Sequence, residues 1–144
     1  MLVKTAEEME TLGREIGATL KGGEVIELIG DVGAGKTTFT RGLALGLGIT
    51  SPITSPSFTI SCRYPARDEL SLNHYDFYRL SNPGVVAMEL AESISDPRAI
   101  TVIEWGESIQ DVLPKNHIII RINYMPDVGR TVEISGYDYS TTEN

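Results

Sequence analysis

The sequence is poor in cysteine and in long apolar runs. Cys62 is its one cysteine in 144 residues, so an intrachain disulfide is excluded and a cysteine-based zinc site lacks a second thiolate. No apolar stretch approaches the roughly 18 residues that a bilayer span needs, and the start, MLVKTAEEMETLG, lacks the features of a signal peptide. We expect a cytoplasmic protein with no membrane contact, in which Cys62 is a small buried or half-buried side chain.

Basic residues are scarce as well. Twelve lysines and arginines stand against twenty aspartates and glutamates, which gives a formal net charge of -8. The basic residues are scattered and form no cluster of the kind that marks a nucleic-acid groove. Because long-range attraction to a phosphate backbone is unfavourable for such a chain, we expect no direct binding of nucleic acid.

The composition is that of a globular protein, with 41% hydrophobic and 22% charged residues. The length suits one domain over residues 1–144, and no internal repeat is visible. The tail from about residue 138, DYSTTEN, carries no recognisable pattern and is a candidate for disorder.

The pattern in the first third of the chain predicts helix, strand and helix. Apolar residues recur at near-helical spacing from Leu2 to Leu20, with Thr5 and Glu8 as a capping box, which predicts a helix over about 6–20. The run EVIELI is typical of a strand buried on both faces, and a second helix is expected through about residue 47.

The remaining segments alternate between strand and helix signals. TSPITSPSF is predicted to be a loop, since its prolines exclude regular helix, and PGVVAMELAESI is predicted to be a helix with Pro83 in its first turn. Strands are predicted in FTISCRY, LSLNHYDFY and AITVIEW, and a C-terminal hairpin in HIIIRINY and RTVEISGY. The expected fold class is therefore α/β, a sheet like that of P-loop NTPases with flanking helices, mixed strands and a C-terminal β-hairpin.

The stretch GDVGAGKTT, residues 30–38, matches the phosphate-binding loop Gly-x-x-x-x-Gly-Lys-[Ser/Thr]. The predicted strand before it and helix after it provide the context that the motif needs, because backbone N–H groups and the helix N-terminus must converge on the phosphates. Lys36 is expected to reach the β and γ phosphates, and the Thr37 hydroxyl to bind Mg²⁺. The predicted nucleotide-binding residues of this stretch are Gly33, Ala34, Gly35, Lys36, Thr37 and Thr38.

Such a loop needs a second anion to hold the metal, usually at the carboxyl end of a neighbouring strand. Glu104 follows the strand-like AITVI, and Asp76 lies near the end of another strand, on the same face as His74 by alternation. Each has a purely structural alternative: Glu104 as a strand-end acid satisfied by a surface basic residue, Asp76 as a partner of Arg79, and His74 as a packed strand histidine.

The segments GDVGAGKTT, TSPSF, HYDFYRL and VIEWGE, in this order and spacing, closely resemble the TsaE family, also called YjeE. Its members are small bacterial ATPases required for the threonylcarbamoyladenosine modification of tRNA. The resemblance covers nearly the whole chain, and its most specific parts are Thr54 to Phe58 and His74 to Arg79.

This resemblance implies the roles of several residues. Thr37 and Glu104 would bind Mg²⁺, Asp76 would act with Lys36 in ATP hydrolysis, and Trp105 would border the nucleotide site. Thr54 to Phe58 would form a switch-like loop near the γ-phosphate. The resemblance also implies ATP and Mg²⁺ as cofactors and the TsaD and TsaB proteins as partners.

Two alternatives remain open at this point. A small phosphotransferase shares the loop, although the sequence offers few arginines for a lid over an acceptor. A nucleotide-dependent binding switch without turnover of its own would carry the same motif. A GTPase is disfavoured because no Asn-Lys-x-Asp motif occurs.

Overall fold

The computed structural model describes residues 1–31, 35–53, 61–77 and 84–137. Within them lie three helices and seven strands, together with short 3₁₀ segments at Arg67–Glu69 and Gly106–Val112. The helices are α1 (Ala6–Thr19), α2 (Lys36–Gly46) and α3 (Gly84–Ser95). The strands are β1 (Leu2–Val3), β2 (Val25–Ile29), β3 (Ser61–Pro65), β4 (Ser71–Asp76), β5 (Ala99–Glu104), β6 (Ile118–Met125) and β7 (Gly129–Ser135).

The seven strands form one mixed sheet in the order β1-β7-β6-β2-β5-β4-β3. Its centre, β6-β2-β5-β4, is parallel, whereas β3, β7 and β1 pair antiparallel with their neighbours. The carboxyl ends of the four parallel strands therefore meet at one edge of the sheet. The predicted α/β class, with mixed strands, flanking helices and a C-terminal hairpin, is confirmed.

Both faces of the central strands are covered, which explains their almost wholly apolar sequences. One face packs against α1 and α2, and residues such as Ile26, Val102 and Phe39 form the larger core there. The opposite face packs against α3 and the 3₁₀ segment Gly106–Val112, with Ile103 and Leu90 in a second core cluster.

Helices α1 and α2 lie against each other through glycines. Each helix carries a pair of glycines four residues apart, Gly13 and Gly17 on α1, and Gly42 and Gly46 on α2. A Cβ atom added at any of the four would lie 2.0 to 2.3 Å from a backbone carbonyl oxygen of the other helix. Only a hydrogen at these positions allows such an approach. The contact fixes α2, and with it the position of Lys36, against α1.

The first predicted helix is confirmed as α1, and Thr5 caps its N-terminus as predicted. The Thr5 hydroxyl accepts a hydrogen bond from the Glu8 N–H at 3.1 Å. The Glu8 carboxylate accepts from the Lys4 N–H at 2.8 Å, one residue before the position that a standard capping box uses. Leu2 was wrongly grouped with the helical stripe, since it lies in β1 and pairs with Thr131 of β7.

The other predicted elements agree with the structure where it describes them. β2, α2, β4, β5 and the β6–β7 hairpin lie where the patterns placed them, and Cys62 is half-buried on β3. Most of TSPITSPSF, the start of FTISCRY, Pro83 and the tail from residue 138 lie outside the described residues. In the part of the chain that the structure describes, none of the helices combines the length and apolar character needed to cross a bilayer.

Candidate functional site

Lys36 begins helix α2 at the edge where the parallel strands end. The residue before it, Gly35, has φ 114°, a left-handed conformation that glycine adopts without strain and that turns the chain into the helix. The Lys36 side chain is only 6% exposed. Its Nζ lies 3.8 Å from Oε1 of Glu104 and 4.0 Å from the centre of the Trp105 ring. The predicted phosphate-binding lysine is thus held between a carboxylate and an aromatic face.

The two predicted acids lie side by side. Asp76 ends β4 and Glu104 ends β5, and the two residues are register partners in the parallel pairing of these strands. Register partners project to the same face of a sheet. Glu104 is buried, 4% exposed, whereas Asp76 is half-buried. The topology therefore brings together Lys36, Asp76 and Glu104 from three separate elements.

His74 joins this group from the same face of β4. Its Nε2 lies 2.6 Å from Oε2 of Glu104, and the imidazole is 1% exposed. The alternative of Glu104 as a strand-end acid satisfied by a surface basic residue is therefore wrong, because its partners among the described residues, Lys36 and His74, are buried. The alternative pairing of Asp76 with Arg79 lies outside the described residues.

Negative charge exceeds positive charge around Lys36. Burial lowers the pKa of its ammonium group below the usual value, and four carboxylates oppose that shift: Glu104 most strongly, then Asp76, Glu107 and Asp31. An unaccompanied polyphosphate would be repelled by these carboxylates. A site of this charge suits a phosphate ligand that arrives with a cation.

The donor atoms present fit Mg²⁺ as that cation. Hydroxyl and carboxylate oxygens, from Thr37, Asp76 and Glu104, are the ligand type that Mg²⁺ prefers. Among the described residues, no group of three or more histidines, cysteines, aspartates or glutamates could hold a metal by itself. Mg²⁺ usually binds through one or two protein groups, water and the phosphates of a nucleotide.

Trp105 follows Glu104 directly and has φ 57° and ψ 50°. A bulky residue in this left-handed region is strained, and such strain is often found at functional sites. The turn directs the chain into Gly106–Val112 and leaves a cleft of about 220 Å³ beside Lys36 and Trp105. Three polar residues that the sequence analysis did not single out, Asp31, Glu107 and Asn123, also line this cleft.

The remaining predicted site residues are placed only in part. Thr37 and Thr38 are half-buried in the first turn of α2. Gly33, Ala34 and the segment from Thr54 to Phe58 lie outside the described residues. For Asp31 a sequence signal existed, since it lies within the loop motif, whereas Asn123 on β6 had none.

Comparison with known proteins agrees with this architecture. The model of the family "Threonylcarbamoyl adenosine biosynthesis protein TsaE" matches residues 3–132. The chain belongs to the TsaE family. A relative from Streptomyces coelicolor, named tRNA threonylcarbamoyladenosine biosynthesis protein TsaE, is 42% identical over 80% of this chain and 78% of its own length. A relative of the same name from Treponema pallidum is 36% identical over 92% of this chain and 96% of its own.

A solved structure supports the same assignment at the level of the fold. The crystal structure of YdiB from Bacillus subtilis superimposes with a TM-score of 0.76 at 31% sequence identity. The match covers 99% of this chain and 88% of YdiB. The TsaE fold is of the P-loop NTPase type, which is the fold expected from the loop motif and the sheet.

Proposed function

We propose that this protein is a cytoplasmic, Mg²⁺-dependent ATPase that serves the threonylcarbamoyladenosine modification of tRNA by acting on the TsaD–TsaB assembly. The observation that carries the proposal is the convergence of Lys36, Glu104 and Asp76 at the carboxyl edge of the sheet. Membership of the TsaE family supports the biological role.

Phosphate binding is assigned to the start of α2. The helix N-terminus and the backbone N–H groups of Gly33, Ala34 and Gly35 would bind the phosphate oxygens. Lys36 would exchange its contact with Glu104 for the β and γ phosphates, and Thr38 would add a hydroxyl near the α-phosphate.

The two acids and Thr37 would serve the metal and the attacking water. Thr37 and Glu104 are proposed to hold Mg²⁺, which when bound supplies charge neutralisation at the phosphate oxygens. Asp76 is proposed to orient the attacking water and to accept its proton. Trp105 would border the nucleotide and limit access of solvent to Lys36.

The role in tRNA modification is proposed to pass through a protein partner. The chain has a formal net charge of -8 and its basic residues are dispersed, which makes direct capture of tRNA unfavourable. A nucleotide-driven partner of the TsaD–TsaB assembly is the simplest role for such a chain.

Replacement of Lys36 tests the proposed function directly. We expect Lys36→Ala to weaken Mg²⁺-ATP binding by about 10- to 150-fold, since a hydrogen bond to a charged group contributes about 1.5–3 kcal/mol. Isothermal calorimetry would give the affinity, and a thermal melt without ligand would show whether the fold is retained.

Lys115→Ala is a matched control, because Lys115 is an exposed lysine in a turn. It should bind Mg²⁺-ATP like the wild type. Equal affinity in the wild type and in a folded Lys36→Ala variant would contradict the assignment of the phosphate site.

A further inference from the structure

We propose that His74 is a positioning residue, which orients the Glu104 carboxylate through a hydrogen bond from its Nε2–H. The bond leaves the second carboxylate oxygen directed toward Lys36 and the metal side of the site. The consequence of this inference for metal binding rests on the proposed function, whereas the bond itself can be tested without ATP or metal.

The geometry divides the two oxygens of Glu104 between two partners. Oε2 lies 2.6 Å from His74 Nε2, and Oε1 lies 3.8 Å from Lys36 Nζ. Rotation about the last torsion of a glutamate side chain is only weakly restricted. An anchor on one oxygen therefore fixes where the other one lies. Partners of this kind behind a metal-binding carboxylate commonly tune the affinity for the metal.

The contact with Glu104 indicates which nitrogen of His74 donates. An ionised carboxylate only accepts hydrogen bonds, so the proton of the short contact belongs on Nε2. The other nitrogen, Nδ1, is buried and has no hydrogen-bond partner among the described residues. The geometry thus points to a proton on Nε2, donated to Oε2 of Glu104.

His117 provides a contrast within the same chain. Its Nδ1 lies 2.6 Å from the carbonyl oxygen of Pro114, and its Nε2 lies 2.9 Å from Oε1 of Glu27. Both nitrogens of His117 therefore face oxygen acceptors, unlike those of His74. The sequence contains two histidines, so each can be identified spectroscopically by removing the other.

The first test is ¹⁵N NMR of histidine-labelled protein without nucleotide or metal. His117→Gln would leave His74 as the one labelled imidazole. We expect Nε2 to carry a proton that is hydrogen-bonded to the Glu104 carboxylate. A spectrum of the folded protein in which Nε2 carries no proton would overturn the proposal, whether or not the protein binds ATP.

The second test compares His74→Gln with His74→Leu. Glutamine can place an N–H group near the former Nε2 position, whereas leucine fills space without a donor. The readout is the ratio of ATP affinities with and without Mg²⁺, measured by calorimetry on variants whose thermal melts confirm folding.

We expect His74→Leu to reduce the ratio of the ATP affinities with and without Mg²⁺ by about 10- to 100-fold. The ATP affinity measured without Mg²⁺ should change little. His74→Gln should keep most of the metal dependence. A folded His74→Leu variant with wild-type metal dependence, or equal losses in both variants, would contradict the positioning role. If the wild type itself failed to bind Mg²⁺-ATP, the proposed function would fail, and the NMR experiment would still decide the His74–Glu104 bond.

Discussion

Lys36 and Glu104 form a buried ion pair, and a phosphate ligand has to compete with Glu104 for the lysine. Their charged atoms lie 3.8 Å apart, and both side chains are almost fully buried. A phosphate that takes Lys36 as its partner leaves Glu104 with His74 and an unbalanced negative charge. An oxygen-binding cation restores the balance, so phosphate and metal are expected to bind in a coupled manner.

Asp76 and Glu104 should differ in what their removal affects. We expect Glu104→Ala to weaken Mg²⁺-dependent binding of ATP, because it removes an anion proposed to bind the metal. Asp76→Ala should lower turnover more than binding, because its proposed role lies in the hydrolytic step. Calorimetry and steady-state phosphate release, measured on both variants, separate the two effects.

Glu133→Ala is a suitable control for both variants, since Glu133 is an exposed acid on β7. It should leave binding and turnover unchanged. If Asp76→Ala abolished metal-dependent binding while Glu104→Ala lowered only turnover, the two roles would have to be exchanged.

Candidate site residues could be named from the sequence where a local pattern marks them. Lys36 and Thr37 follow from the loop pattern, and Glu104 and Asp76 from acids at strand ends. The contact between His74 and Glu104 joins residues thirty positions apart and depends on the pairing of β4 with β5. Asn123 reaches the cleft only because β6 lies next to β2, which no local pattern reveals.

At the scale of elements, the crossing of α1 and α2 determines where the phosphate-binding loop ends. The two helices approach each other at four glycines, and backbone carbonyl oxygens occupy the space that side chains would need. Glycine normally disfavours a helix by about 1 kcal/mol relative to alanine. Its presence at four helical positions is explained by the close packing that it permits.

Gly42→Ala should destabilise the protein despite the gain in helix propensity. The added Cβ would lie 2.0 Å from the carbonyl oxygen of Glu10, and backbone atoms cannot move aside as a flexible side chain can. We expect a loss of about 1–3 kcal/mol, toward the upper end of the range for overpacked cores. Chemical denaturation, with the single tryptophan Trp105 as the fluorescent probe, measures the free energy of unfolding.

The exposed neighbour Arg41, on the same helix, gives the control. Arg41→Ala changes the residue next to Gly42 without adding atoms to the crossing and should change stability by less than about 0.5 kcal/mol. A Gly42→Ala variant as stable as the wild type would show that the helices can separate at little cost.

Strongly patterned elements could be predicted from the sequence, and short ones could not. The buried strands β2 and β5 appear as apolar runs, and β6 and β7 as alternating ones, because each pattern follows from which faces are covered. β1 has two residues and exists only because β7 offers it an edge. The glycines of α1 and α2 lower helix propensity locally, so their packing role becomes visible only when both helices are placed.

At the scale of the whole molecule, the negative net charge makes direct binding of tRNA unfavourable, although the family serves tRNA modification. The formal net charge is -8, and the carboxylates around Lys36 add to the negative potential at the candidate site. The isolated chain should therefore show no measurable binding of tRNA at physiological salt. A gel shift with the purified protein would check this, and tight binding by the chain alone would contradict the proposal that a partner holds the tRNA.

Nucleotide binding is expected to strengthen association with the TsaD–TsaB assembly. The family resemblance implies that the Thr54 to Phe58 loop is switch-like, so ATP with Mg²⁺ would engage this loop and Lys36 at the γ-phosphate. Binding would thereby favour one state of the surface that meets the partner. Coupling of this kind is typically worth about 5- to 150-fold in affinity. Binding to immobilised TsaD–TsaB, measured with ATP and Mg²⁺ and again without nucleotide, should differ by a factor in that range. Lys36→Ala should bind the assembly equally under both conditions, and a nucleotide-independent affinity of the wild type would rule out the coupling.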